Sequence, residues 1–121
     1  MRAVTRVNSV LNYGFSLLEA AARTAAHRVG LHPEIGFLHV ESPHKEPLVY
    51  DLQEFGRAWV EEAVLDWFSD PKHQKGFYRT PEWVMHLGAE AAQELVEFVA
   101  PRVRLEALVQ DGRRIVGQLE T

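Results

Sequence analysis

Val7, Val10, Leu11, Gly14, Phe15, Leu18, Ala22, Ala25 and Val29 recur at spacings of three and four. That period places them on one face of a helix running from about residue 6 to 29. A helix of this length with a wide apolar stripe has to pack that stripe against other elements or against a partner. The feature therefore commits the chain to a helix-packed architecture before any other residue is considered. Gly30 supplies a C-cap signal and Pro33 a firm stop. Gly14 lowers the helix propensity of its own segment, and its missing side chain permits close approach by a second helix. A start near Ser9 is the alternative boundary. Asn8 and Asn12 lie four apart on a polar face beside the stripe.

The helical period returns from Asp51, with Leu52, Phe55, Trp59, Ala63 and Trp67 on one face and Val60, Val64 and Phe68 widening it. Trp59 and Trp67 are read as core residues. Gly36 to Val40 is a short apolar segment containing His39, a strand stub or an extended loop, and Ser42 to Pro47 reads as a turn or exposed loop. Asp70 to Tyr78 reads as a polar connection. Thr80-Pro81-Glu82 has the cap, the first-position proline and the first-turn acid of a helix start. The expected helix runs from Pro81 towards Val99, with a break near Gly88 as the alternative, and Leu87, Ala91, Leu95 and Phe98 or Val99 form its apolar face. Val103 to Leu108 starts a further short helix, Asp111-Gly112 is a turn signal, and Ile115 to Leu119 is a strand or a frayed end. The fold class is mainly α, a multi-helix domain.

With 121 residues, 46% of them hydrophobic, the chain has the size and apolar content of one folded domain. The absence of cysteine excludes disulfides and thiolate metal sites. No apolar run reaches a membrane span and the N-terminus lacks a secretion signal's apolar core, so the cytoplasm is the default. A net charge of −4 argues against a strongly basic nucleic-acid binder. The charge is uneven, however. Arg2, Arg6, Arg23 and Arg28 face only Glu19 in the first thirty residues, and Lys72, Lys75 and Arg79 form a second basic segment. Such segments either contact phosphates or are ordinary solvated charge. No P-loop or dinucleotide glycine pattern is present, and Ser16 and Ser42 lack a local base.

GFLHVESPHKEPLVYDLQEFGR, residues 36–57, holds the candidate chemistry. Asp51 and Glu54 are i and i+3 on the expected helix and share a face. Two oxygen donors and the His39 imidazole suit a hard divalent cation, Mg²⁺ or Mn²⁺. An aspartate N-cap followed three residues later by a glutamate is equally the pattern of a capping pair. Spacing permits both. His44 reads as solvated, His32 as a helix-end residue, and His73 and His86 have no carboxylate at a local spacing.

Four stretches together resemble one family. VNSVLNYGFSLLEA (Val7 to Ala20), GFLHVE (Gly36 to Glu41), PLVYDLQEFGRAWVE (Pro47 to Glu61) and GFYRTPEWVMHL (Gly76 to Leu87) are similar, in the same order, to segments in the C-terminal catalytic domain of the CRISPR-associated integrase, the endonuclease of spacer acquisition. The resemblance implies a mainly α-helical catalytic lobe that joins new spacer DNA to a CRISPR array by phosphoryl transfer. It implies Mg²⁺ or Mn²⁺ held by a glutamate, a histidine and an acidic residue. His39 takes the histidine's place, Glu54 that of the acidic ligand, and Asp51 that of a neighbouring aspartate that supports or shares the site. Arg57 and Arg79 stand at positions of phosphate-contacting basic residues, and Asn12 and Tyr13 lie in the motif of the first helix as further DNA-contact candidates. The implied partners are DNA, a second copy in a homodimer and a small companion subunit. The family's first metal ligand, a glutamate upstream of the LNYG helix, has no counterpart among these residues, nor has the N-terminal β-rich domain. Residues 1–121 therefore read as a partial C-terminal helical catalytic domain, with an upstream half as the source of the glutamate. The opposing expectations are a catalytically inactive helical remnant or interaction domain, and a small nucleic-acid-binding module.

Overall fold

The computed structural model describes residues 5–30, 45–80 and 85–119. The order is α1 (Arg6–Gly30), α2 (Lys45–Phe68), a 3-10 turn (Pro71–Gln74), β1 (Phe77–Arg79), β2 (Met85–Leu87), α3 (Ala89–Val99), a second 3-10 turn (Ala100–Arg102) and α4 (Leu105–Leu119). The fold is mainly α, as the periodicity requires. Among the described residues no helix is long and apolar enough to cross a membrane.

The chain divides into two compact units, Met1–Leu17 with Ala58–Val103, and Leu18–Arg57 with Arg104–Thr121. Each long helix contributes one part to each unit. In the first unit, α1 begins where Thr5 Oγ1 accepts from the Asn8 backbone N–H at 3.2 Å. This side-chain cap satisfies a first-turn donor, so the helix starts at Arg6 and not near Ser9. The buried side chains include Val10, Val60, Val64, Trp67, Leu87, Leu95 and Val99. Gly14 provides the expected close approach: a Cβ there would lie 2.6 Å from Val60 Cγ1 and 3.1 Å from Val64 Cγ2.

The last turn of α2 has no basic residue to satisfy its carbonyls. Two later side chains do so. The His73 Nδ1–H donates to the Trp67 carbonyl at 2.6 Å, and Gln74 Nε2 donates to the Phe68 carbonyl at 2.6 Å. The His73 ring also lies parallel to Trp67, with centroids 4.1 Å apart. The polar connection is thus a built cap for α2. It leads through Gly76, at φ +89°, into an antiparallel ribbon pairing Phe77 with Leu87, Tyr78 with His86 and Arg79 with Met85.

In the second unit, Leu18, Ala22, Ala25, Ala26 and Val29 of α1 are buried with Leu48, Val49 and Leu52 of α2 and Leu108, Val109 and Val116 of α4. Gly112 of α4 sits against Val29 and Leu52, where a Cβ would stand 2.9 Å from Val29 Cγ2. Exposed ion pairs surround this core. Arg23 reaches Glu46 at 2.9 Å and Glu19 at 3.3 Å, and Arg28 reaches Glu106 at 2.9 Å. The hydrogen bond to Glu46, then that to Glu19, holds the Arg23 guanidinium above its ordinary range.

Four expectations are corrected. α2 starts at Lys45, six residues before Asp51, because Leu48 and Val49 extend the buried stripe upstream and Pro47 falls in the first turn, where its missing N–H costs nothing. Phe55 is 48% exposed, and the stripe runs instead through Leu52, buried Gly56 and Val60. Met85–Leu87 is a strand and not helix, and α3 begins only after Gly88, where the sequence offers a break as the alternative. Residues 81–84 lie outside the described residues. Asp111-Gly112 lies inside α4, which continues to Leu119.

Candidate functional site

The longer α2 removes one of the two readings of Asp51 and Glu54. Neither is an N-cap or a first-turn residue, since both lie beyond the first turn of Lys45–Phe68. A helix end attracts carboxylates only within about one turn, so capping no longer accounts for the pair. Both are exposed and, at i and i+3, project from neighbouring positions of one face. Placing two like charges there costs an isolated helix about 0.2–0.5 kcal/mol. Arg57 offsets part of that cost, its guanidinium 3.6 Å from the Glu54 carboxylate.

Two aromatics share this polar side of α2. Tyr50, 63% exposed, precedes Asp51 and lies one turn before Glu54, and Phe55 lies one turn after Asp51. Apolarity alone puts Phe55 on the core stripe and gives Gly56 no place in it. The usable signal was that a stripe through Leu52, Gly56 and Val60 continues to Ala63 and Trp67 without Phe55. Like charges and large aromatics set together on an exposed helix face break the local rule for a solvated surface, a departure expected at functional positions.

The donor chemistry fits part of a hard-cation site: two carboxylates on adjacent turns, open to solvent. His39 lies outside the described residues. Among the described residues no three His, Asp or Glu side chains gather as a metal site. The carboxylates and Arg57 belong to the second unit. Asn12, Tyr13 and Arg79 belong to the first. Asn12 is half-buried on α1 and its carbonyl accepts the Ser16 hydroxyl at 2.9 Å. Tyr13 is 38% exposed, and Arg79 is exposed at the end of β1. The structure thus brings Asp51, Glu54 and Arg57 together on one face.

Comparison with known proteins bears on this arrangement. The profile of the family described as CRISPR associated protein Cas1 matches residues 3–100. The CRISPR-associated endonuclease Cas1 1 of Thermus thermophilus is 33% identical over 98 residues, covering 80% of this chain and 31% of the relative. A protein of the same description from Francisella tularensis subsp. novicida is 45% identical over 58 residues, covering 48% of this chain and 18% of the relative. The CRISPR-associated endonuclease Cas1 of Leptospira interrogans is 29% identical over 103 residues, covering 84% and 41%. Among solved structures, a casposase bound to integration product matches 98% of this chain and 39% of its own, with a TM-score of 0.78 and 30% identity. The chain therefore spans less than half the length of these relatives.

Proposed function

Because the chain belongs to the CRISPR associated protein Cas1 family, we propose that it carries the helical catalytic part of a metal-dependent DNA endonuclease and integrase, acting in the cytoplasm on CRISPR spacer DNA. The observation that carries this reading is the Asp51–Glu54 pair, exposed in the interior of α2 with no capping role. The likeness of nearly the whole chain to a casposase holding an integration product supports it.

In this reading Glu54 and His39 are metal ligands for Mg²⁺ or Mn²⁺, and Asp51 supports or shares the site. The bound ion would stabilise negative charge on the transferring phosphate. Arg57, at the rim of the carboxylate face, serves two charges, holding Glu54 in place and drawing a phosphate towards the pair. Arg79, Asn12 and Tyr13 are further DNA contacts. The attacking group is a DNA 3′-hydroxyl for integration and water for cleavage. The proposed assembly is a homodimer with a small companion subunit, and a glutamate from an upstream segment or separate half completes the ligand set.

The test is Mn²⁺-dependent cleavage and strand transfer on branched DNA, with Mn²⁺ binding followed in parallel by calorimetry. Glu54→Ala and His39→Ala should each abolish activity and weaken Mn²⁺ binding. Asp51→Asn should cost about 10–100-fold, the range for a residue that orients a ligand. Unchanged activity in Glu54→Ala would remove the carboxylate face from the reaction. Inactivity of every form, including the unaltered chain with its upstream half supplied, would favour an interaction domain.

A further inference from the structure

Gly112 of α4 lies against α1 and α2 at once. A Cβ there would stand 2.9 Å from Val29 Cγ2 and 3.8 Å from both Leu52 Cδ1 and Leu52 Cδ2. Val29 and Leu52 are fully buried, as are Leu108, Val109 and Val116 of α4 in the same unit to within 2%. The missing side chain lets α4 approach α1 more closely than any other residue would allow.

Leu52 stands at the level of the candidate site. It follows Asp51 and precedes Glu54 by two residues. On a helix rising about 1.5 Å per residue, it therefore sits between the two carboxylates along the axis. At about 100° per residue it points roughly 200° away from Glu54. The turn that carries Asp51 and Glu54 on its exposed side is thus backed on its buried side by Leu52, and Leu52 in turn by Gly112. The family profile matches residues 3–100, and α4 (Leu105–Leu119) lies beyond that stretch.

We propose that Gly112 is a positioning residue for the Asp51–Glu54 pair: by letting α4 close on Val29 and Leu52, it fixes where the carboxylate turn stands. The proposal rests on the metal-dependent function above and adds to it a residue that touches neither metal nor DNA. Both carboxylates ride on one helical stretch, so a displaced α4 leaves their mutual spacing intact. What it changes is their placement against ligands that α2 does not carry, which the proposed function assigns to His39 and an upstream glutamate. A Cβ at 2.9 Å from a methyl carbon is short of ordinary carbon–carbon contact by about half an ångström or more. Val29, β-branched and helical, has little rotamer freedom to yield. The adjustment therefore falls on α4 and on what α4 supports. A metal–ligand distance tolerates only about 0.2 Å.

A buried glycine can also serve packing alone, and the experiment separates the two roles. Mn²⁺ binding to the 121-residue chain is followed by calorimetry well below each variant's unfolding midpoint. Glu54→Ala is the control that reports binding at the carboxylate face. Gly112→Ala should weaken Mn²⁺ binding about tenfold, the lower end of the range for residues that orient ligands. Gly117→Ala, on the same helix with nothing within 4 Å of its added Cβ, should bind as the unaltered chain does. Val29→Ala removes the methyl that the new Cβ meets, so Gly112→Ala combined with Val29→Ala should recover most of the lost affinity. A Gly112→Ala variant with a lowered unfolding midpoint and full Mn²⁺ affinity overturns the proposal and leaves Gly112 a packing residue. A combined variant that recovers nothing overturns it too. Leu52→Val, a milder change on the other side of the contact, should weaken binding several-fold, and unchanged affinity there overturns the proposal even where Gly112→Ala fails to fold. Mn²⁺ binding that is absent in the unaltered chain, or untouched by Glu54→Ala, removes the carboxylate face and the proposal with it. Binding lost in Glu54→Ala and kept in Gly112→Ala removes the proposal alone, so the two fail separately.

Discussion

Gly14 shows how one missing methyl group can set the spacing of two helices. A Cβ there would stand 2.6 Å from Val60 Cγ1, and Val60 is a β-branched helical residue with little rotamer freedom to yield. Gly14→Ala would gain about 1 kcal/mol in helix propensity and lose about 1–3 kcal/mol to overpacking. The expected outcome is net destabilisation by up to about 2 kcal/mol, seen as a lowered midpoint in denaturant unfolding with an unchanged slope. A rise in stability would mean that α2 recedes at no cost. The position was legible in the sequence because glycine interrupts a stripe that is otherwise apolar. Phe55 was not legible, since apolarity alone does not say on which side of a widened stripe a ring falls. Gly56 carries no hydropathy signal, yet it is the buried residue at that turn.

At the scale of the element, α4 holds two glycines with opposite expected behaviour. Gly112 faces Val29 and Leu52, and its added Cβ would come to 2.9 Å from Val29. Gly117 is exposed, with nothing within 4 Å of its added Cβ. Gly117→Ala should therefore stabilise the protein by about 0.5–1 kcal/mol, the propensity gain alone. Gly112→Ala should gain the same propensity and lose about 1–3 kcal/mol to overpacking, for a net destabilisation of up to about 2 kcal/mol. Thermal unfolding of the two variants side by side checks the sign of each, and two stabilising results would show that α4 is not seated on α1 and α2 through Gly112. The same pair explains why the Asp-Gly signal misled. It reports a local preference for a turn, whereas here Asp111 is nearly buried and accepts from Arg114 at 2.8 Å within the helix, and Gly112 is selected by packing. Long periodic elements were legible because burial repeats along them. The ribbon was not, because three-residue strands carry too little period and their pairing is set by Gly76 and by contacts distant in sequence.

For the whole molecule the governing quantity is charge. A chain of net charge −4 repels a polyanion at long range, and the exposed Asp51–Glu54 pair concentrates that repulsion on the proposed reaction face. Two mechanisms for DNA binding therefore respond oppositely to divalent ions. If the basic segments alone hold the phosphates, added Mg²⁺ competes with Lys72, Lys75, Arg79 and their neighbours for DNA, and affinity falls as it does with any salt. If the carboxylate face holds a cation between itself and a phosphate, low concentrations of Mg²⁺ or Mn²⁺ convert a repulsive face into an attractive one, and affinity rises before screening reverses it at higher salt. The second behaviour is expected: duplex binding at constant ionic strength should strengthen several-fold on adding low-millimolar Mn²⁺. Glu54→Gln should flatten that response and strengthen binding without metal, because it removes a like charge and a ligand together. A response to Mn²⁺ that is negative throughout, and unchanged in Glu54→Gln, would mean that the carboxylates act neither as ligands nor as an electrostatic barrier. DNA would then be held by the basic segments alone.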